Sequence, residues 1–303
     1  MELSTKNQTH TASSKPKKSK SPWAIARRKF FHNKLAMTSL IFLLVVSILS
    51  FLAPYITTTD ISRVNIGQMS LSPSSDHWLG TDKSGRDVFT RLLYGGRVSL
   101  YVGIASTALI MLFGISVGAI AGYYGGLIDT LLMRFTDFIL NLPFLVFAIV
   151  INAIFFGKVE GTWLLILVLS VLGWGGVARL VRSKFLAEKE NEYILAAVSI
   201  GTKPSKIIMK HLLPNVLSTI IVQITVLFAV MISAESALSY LGFGVPQEVP
   251  SWGNMLSASQ EADVLQRMPW IWIPPAIVLT VTILSINFIG EGIKDALNPK
   301  SYR

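Results

Sequence analysis

The sequence predicts an all-helical integral membrane protein with six transmembrane helices, and three observations lead there. Hydrophobic residues make up 51% of the 303-residue chain and charged residues only 15%. A soluble domain carries about a quarter charged residues, so this chain lacks the polar surface to cover itself in water. The mean hydropathy is +0.55. The apolar residues are also gathered into long blocks nearly free of charge, each close to the roughly 20 residues that cross a hydrocarbon core.

The six blocks fall at residues 35–56, 98–122, 138–156, 162–178, 216–234 and 271–290. Their direction follows from the lysines and arginines, which concentrate on the cytoplasmic side. With the N-terminus inside, segments 1–34, 123–137, 179–215 and 291–303 together hold 20 basic residues. Segments 57–97, 157–161 and 235–270, then outside, hold 7. Both termini are therefore expected in the cytoplasm, and the net charge of +10 reflects membrane orientation rather than nucleic-acid binding.

Residues 1–34 form a basic cytoplasmic tail. Its first 22 residues, rich in Ser, Thr and Lys, predict disorder. The run WAIARRKFFHNK from Trp23 to Lys34 mixes aromatics and cations at helical spacing. It fits either an interfacial helix against anionic headgroups or a plain topogenic flank. The tail is too long and polar for the leading part of a cleaved signal peptide, so the first block is expected as a retained anchor. In the second block Gly114, Gly118 and Gly122 recur every four residues on one helix face. Small residues so placed predict a close helix–helix seam in lipid.

Between the fourth and fifth blocks, residues 179–215 are too long for a turn. The core NEYILAAVSIGTKPSKIIMKHLLPN reads as a short helix, a break at Gly201, a Lys203-Pro204 turn, then a second short helix ended by Pro214. On pattern alone this hairpin is either a docking knob for a soluble partner or a simple connection. Before the second block, Asp82, Lys83, Arg86, Asp87 and Arg91 alternate in charge, predicting a helix at the outer surface. That helix would be either a self-satisfied ion-pair network or a platform for a partner. Asp129, Arg134 and Asp137 cluster at the inner end of the third block, where ion pairing is expected. Asn141, Asn152 and Asn287 are the polar groups expected to bond neighbouring helices or to line a path.

Several activities are excluded or disfavoured. Without cysteine there is no disulfide, thiolate metal site or cysteine nucleophile. The four histidines, at 10, 32, 77 and 211, lie outside every block and show no metal-ligand spacing. No ionisable residue sits near the centre of a block, as an ion-driven transporter requires. No G-x-x-x-x-G-K-S/T phosphate loop is present, so the chain is not expected to hydrolyse ATP itself.

The hairpin resembles the docking motif of ATP-binding cassette importer permeases, Glu-Ala-Ala, three residues, Gly, nine residues, a hydrophobic position, one residue, Leu-Pro. Ala196, Ala197, Gly201, Leu213 and Pro214 stand at that spacing. Leu195 replaces the motif's glutamate, and His211 occupies its hydrophobic position. The loss of the glutamate puts one polar contact in doubt and leaves the small-residue surface. The stretch HWLGTDKSGRDVFTRLLYGGRVSL, ESALSYLGFGVPQEVPSWGNML and the closing GEGIKDALNPK are similar to the C-type permease of oligopeptide, dipeptide and nickel importers. The likeness runs from about Trp23 onward.

The resemblance implies a type I importer permease of the bacterial cytoplasmic membrane that moves oligopeptides inward, with dipeptides or nickel as same-branch alternatives. It implies an ATPase-docking site at Ala196, Ala197, Gly201, His211, Leu213 and Pro214. It also implies a platform for an extracytoplasmic binding protein at Asp82, Arg86, Asp87, Trp252 and Asn254. Further implied partners are a second homologous permease and two ATPase subunits that carry the ATP and Mg. No cofactor or metal is expected on this chain, nor catalysis by it.

Overall fold

A computed structural model describes residues 22–57, 61, 64–155, 157–159 and 161–297. The basic tail before residue 22, expected to be disordered, lies outside these residues. Among the described residues there is no strand, only an isolated bridge between Thr81 and Asp87.

Five helices are long and apolar enough to cross a membrane: α2 (Lys34–Phe51), α4 (Val88–Tyr124), α7 (Gly161–Lys189), the run Pro204–Tyr240, and α13 (Pro269–Leu297). The pair α5 (Gly126–Asn141) and α6 (Phe144–Phe155) passes the same test together but is bent by 84°, as a broken span or a re-entrant loop is. The third span is thus not the continuous helix expected over 138–156. Pro143 explains the break. It has no N–H to continue the ladder, and it drives the preceding Leu142 into extended backbone (φ −71°, ψ 129°).

Two other boundaries differ from the sequence reading. The fourth helix does not stop at 178 but continues to Lys189, so the first third of segment 179–215 extends the span. The second arm of the hairpin does not end at Pro214 either. Helix α9 (Pro204–Ile207) passes through one π turn, Ile208–Leu212, directly into α10 (Leu213–Tyr240). In that turn the N–H of Leu213 reaches the carbonyl of Ile208, five residues back. Such a widened turn lets the helix absorb a proline without stopping.

Helices α4 and α7 run parallel and pack along most of their length. Their seam is the glycine row. A methyl added at Gly114 would lie 2.6 Å from Val177 Cβ, and one at Gly122 would lie 2.7 Å from Phe185 Cβ. At Gly118 it would strike the Ala178 carbonyl and lie 2.9 Å from Val181 Cβ. Ion pairs fasten α5 to the same helix: Arg182 holds Asp129 through both guanidinium branches, and Arg179 meets Asp137 at 2.6 Å. The acids therefore pair across helices, with α7, and not with Arg134 as their sequence clustering suggested.

The bundle buries hydroxylated residues beside an apolar core that includes Ile110, Leu165, Leu169 and Phe185, and it presents further large apolar residues outward. Ile41, Leu44, Ile48, Leu112, Phe113 and Leu167 are exposed, whereas Ser99, Ser106, Thr107, Thr136, Ser170 and Thr282 are buried. A bilayer solvates the former. Helix α1 (Pro22–His32) folds back on the end of α13, where Phe30 and Ala36 close over Gly292. Residues 22 and 297 therefore share one end of the bundle with the 190–207 hairpin. The 64–87 and 241–268 segments gather at the other end, called the loop end below.

Replacing Gly118 by Leu is expected to force α4 from α7 at a cost of about 1–3 kcal/mol. Gly176, whose added methyl would meet nothing within 4 Å, is the control. Thermal unfolding of the detergent-solubilised protein is expected several degrees lower for Gly118→Leu and unchanged or slightly higher for Gly176→Ala.

Candidate functional site: a helical hairpin and an opposing loop end

Helix α8 (Glu192–Ser199) forms the first arm of the hairpin. Its residues sort by helical period. Ile194 and Ala197, three apart, are buried toward the protein. Leu195 and Val198, also three apart, point away and are about half exposed. Ile200, at the tip, is 82% exposed. Gly201 follows with φ +77°, in the left-handed region that costs a β-carbon roughly 1–2 kcal/mol. A methyl built on Gly201 would meet nothing within 4 Å among the described residues. The tip is therefore an apolar knob with open space in front of it.

Of the residues the sequence singled out, Ala196, Gly201 and Pro214 are exposed, Ala197 is buried beneath the knob, and His211 and Leu213 are half-buried. Leu195, at the motif's glutamate position, sits on the exposed face. The sequence reading did not single out Val198, Ile200 or the exposed Met209. The helical spacing of Ile194 and Ala197 marks which side is inward, and would have identified Leu195 and Val198 as outward.

The knob is joined to the bundle through Tyr193. Its hydroxyl donates to Glu188 Oε2 at the end of α7 (2.9 Å) and accepts from the Asn215 amide at the start of α10. Asn191 donates to the same Glu188 oxygen (2.9 Å). Desolvation first, then the bond to the Glu188 carboxylate, raise the Tyr193 phenol above its usual pKa, so it stays a neutral donor at physiological pH. These four polar residues carry no pattern that a sequence window detects.

At the loop end, segment 77–87 is not the surface helix that its alternating charges suggested. Asp82 organises a turn instead: Oδ1 accepts from the backbone N–H of Ser84 (2.8 Å) and of Arg86 (3.0 Å), while Oδ2 accepts from Arg86 Nε (2.8 Å). Gly85 closes the turn with φ +73°. Helix begins only at Val88, because Asp87 is the N-cap, its Oδ1 taking the N–H of Thr90 at 2.7 Å. Its other oxygen meets His77 Nδ1 at 2.9 Å. Arg91, one turn into α4, is buried with Nε 3.6 Å from Asp82.

Trp252 and Asn254 lie on α11 (Trp252–Ser257), which a Ser251/Asn254 capping box starts. Asn254 also donates to the carbonyls of Pro246 and Val249, and Trp252 Nε1 donates to the Leu92 carbonyl (3.1 Å). Both are buried, as are Asp82 and Asp87. These four side chains thus fix the shape of the loop end, and Arg86 is the more accessible of the five.

Beneath α11 lies a residue that the sequence reading passed over, Glu235, fully buried on α10. Its Oε2 accepts from Ser99 (2.8 Å) and Ser236 (3.2 Å), and its Oε1 accepts from Ser239 (2.8 Å). Ser99 in turn accepts the backbone N–H of Trp252 (3.2 Å). One carboxyl therefore ties α4, α10 and α11 together. Its position beside the fifth block, one residue beyond Ala234, was the available signal. Asn141 and Asn152 do not bond neighbouring helices as expected. Each donates to the carbonyl four residues back in its own helix, of Asp137 (2.8 Å) and Ala148 (3.0 Å), and Asn287 is exposed.

Five long apolar helices and a bent pair, with an apolar hairpin at one end and a tightly folded loop assembly at the other, define a multi-pass membrane protein. Residues 114–301 match the family described as binding-protein-dependent transport system inner membrane component, and residues 21–73 match the N-terminal transmembrane domain of oligopeptide transport permease C. The chain belongs to this family of transport permeases. It is 37% identical to the oligopeptide transport system permease protein OppC of Bacillus subtilis, over 94% of this chain and 92% of that one. It is 40% identical to the dipeptide transport system permease protein DppC of the same organism, over 92% of this chain and 86% of the relative. A further relative is the OppC protein of Haemophilus influenzae, 38% identical over 93% and 89%.

Replacing Glu235 by Ala leaves three serine hydroxyls without their acceptor, at about 1–3 kcal/mol for each group left unsatisfied. The thermal midpoint of the solubilised protein is expected to fall by several degrees. Glu235→Gln keeps an acceptor oxygen and is expected to fall less.

Proposed function

We propose that this chain is one of two homologous permease subunits of an ATP-driven importer that carries oligopeptides into the cell. The hairpin end faces the cytoplasm, where ATPase subunits holding ATP and Mg dock. The loop end faces outward and receives an extracytoplasmic peptide-binding protein. The observation that carries this reading is the apolar tip formed by Leu195, Val198 and Ile200, exposed in this chain beyond the end of the long helices. Exposed apolar side chains on a soluble-facing knob are stabilised when a partner's groove covers them. The excess of basic residues at that end supports the cytoplasmic assignment.

The coupling follows from covalent and hydrogen-bonded geometry. The knob is continuous with α7 on one side and, through the π turn, with α10 on the other. Tyr193 cross-links both helix ends. A displacement of the knob by closing ATPases is passed to α7 and α10 together, and α4 follows α7 through the glycine seam. ATP binding opens the path outward to accept peptide, and hydrolysis returns it inward. His211, Leu213 and Pro214 act at the root of the second arm, where the π turn sets the angle at which it joins α10. Ala196 and Gly201 bring the backbone close to the ATPase groove, while Ala197 seats the knob against the bundle.

Relatives named for both oligopeptide and dipeptide transport support a peptide substrate. Peptide length is tested by uptake of labelled di-, tri- and pentapeptides into cells lacking this chain and into complemented cells. Loss of pentapeptide uptake on deletion is the expected result, while loss confined to dipeptides or to nickel overturns the oligopeptide reading. Ile200→Asp, at a position 82% exposed, and Gly201→Asp, where an added β-carbon meets nothing within 4 Å among the described residues, are expected to lower uptake at least tenfold. Membrane abundance and pairing with the second permease should stay unchanged. Normal uptake in both variants would place the ATPase contact elsewhere.

A further inference from the structure

The loop end contains a cleft of 330 Å³ between the 82–91 segment and α11, lined among others by Asp82, Lys83, Arg86, Arg91 and Asn254. Its charged residues leave one positive charge in excess. Arg86, Arg91 and Lys83 stand against Asp82 and Glu261, with Lys83 paired to Glu261. The ion pairs are unequal. Asp82 Oδ2 holds Arg86 at 2.8 Å, its Oδ1 is spent on two backbone N–H groups, and Arg91 stands off at 3.6 Å.

Arg91 is only 4% exposed, and its Nη1 has no hydrogen-bond partner among the described residues. A buried guanidinium with an unused donor is costly, and the group that best satisfies it is a second carboxylate, which accepts charge-assisted hydrogen bonds. The same cleft wall carries the amide of Gln247 and the hydroxyl of Ser84, whereas the Ser257 hydroxyl already donates to the Asn254 carbonyl (2.7 Å). These neutral groups can complete the coordination of an anion without repelling it.

We propose that this cleft is a carboxylate receptor, in which Arg91 binds an acidic side chain presented by the docked extracytoplasmic binding protein. The inference rests on the outward orientation proposed above and adds the chemistry of the contact. Size favours a single side chain, since 330 Å³ lies at the low end for small-molecule pockets of about 300–1,000 Å³ and cannot take several peptide residues. Charge complementarity favours an acid, because the cleft is one positive charge in excess and the buried donor on its wall without a partner among the described residues is a guanidinium.

The test uses the complete importer in lipid nanodiscs, titrated with the peptide-loaded binding protein while ATP hydrolysis is followed. Arg91→Gln is expected to raise the half-saturating concentration of binding protein about tenfold or more, with the maximal rate within twofold of wild type. Arg91→Lys, which keeps the charge without the fork, is expected to fall between the two. Ala258→Phe fills the cleft from its opposite wall without touching Arg91 and is expected to reproduce the shift. It carries the test if Arg91→Gln does not assemble.

Half-saturation unchanged in the assembled variants overturns the proposal. Failure of the wild-type complex to respond to binding protein overturns the orientation reading instead. Uptake of peptides with a free C-terminus and of their C-terminal amides separates the two sources of carboxylate. Arg91→Gln is expected to reduce both equally. A reduction confined to free-acid peptides, with binding-protein affinity intact, overturns the assignment in favour of the substrate's own carboxylate.

Discussion

Two helices in hydrocarbon gain nothing by hiding apolar surface from each other, because lipid tails solvate leucine as well as another leucine does. What remains is close packing, and the α4–α7 seam supplies it. Gly114, Gly118 and Gly122 remove the side chains from one face of α4, so that Val177, Ala178, Val181 and Phe185 of α7 settle against bare backbone. The rest of the architecture is hung on this pair. Helix α5 is salt-bridged to α7 through Asp129 and Asp137, α10 packs against α4, and the hairpin is the direct continuation of α7. A seam this tight transmits displacement instead of absorbing it, as close-packed interiors do.

The two ends of the bundle solve opposite problems with different chemistry. At the loop end, acidic and amide side chains are turned inward and satisfied: Asp82 shapes a turn, Asp87 starts a helix, Ser251 and Asn254 cap another, and Glu235 gathers three serines. Such networks fix one conformation because each member loses its partner if any one moves. At the hairpin end the polar links are few and lie at the root, around Tyr193, while the tip is apolar and open.

Particular residues show how far the sequence could be read. The glycine row was legible because a four-residue period is a property of one helix and needs no knowledge of its neighbour. The apolar blocks located the crossings for the same reason. Charge alternation over Asp82–Arg91 misled, because alternation says nothing about where the first helical N–H groups find acceptors. Once Asp87 became an N-cap, the residues before it were committed to a turn. The continuity of Pro204–Tyr240 was equally hidden, since a proline at 214 ordinarily ends a helix and only the shift to a π turn accommodates it.

The sequence alone determined that the chain lives in a bilayer, roughly where it crosses, which residues of α4 are small enough to seat another helix, and which family it resembles. These are local properties, set by composition and by period along one element. Tertiary structure alone decided which charges pair, that Glu235 joins three elements, that α8 turns Leu195, Val198 and Ile200 outward, and that Arg91 is buried with a donor to spare. Each depends on residues far apart in the chain. Ser99 and Glu235 lie 136 positions apart, and no window along the sequence contains both.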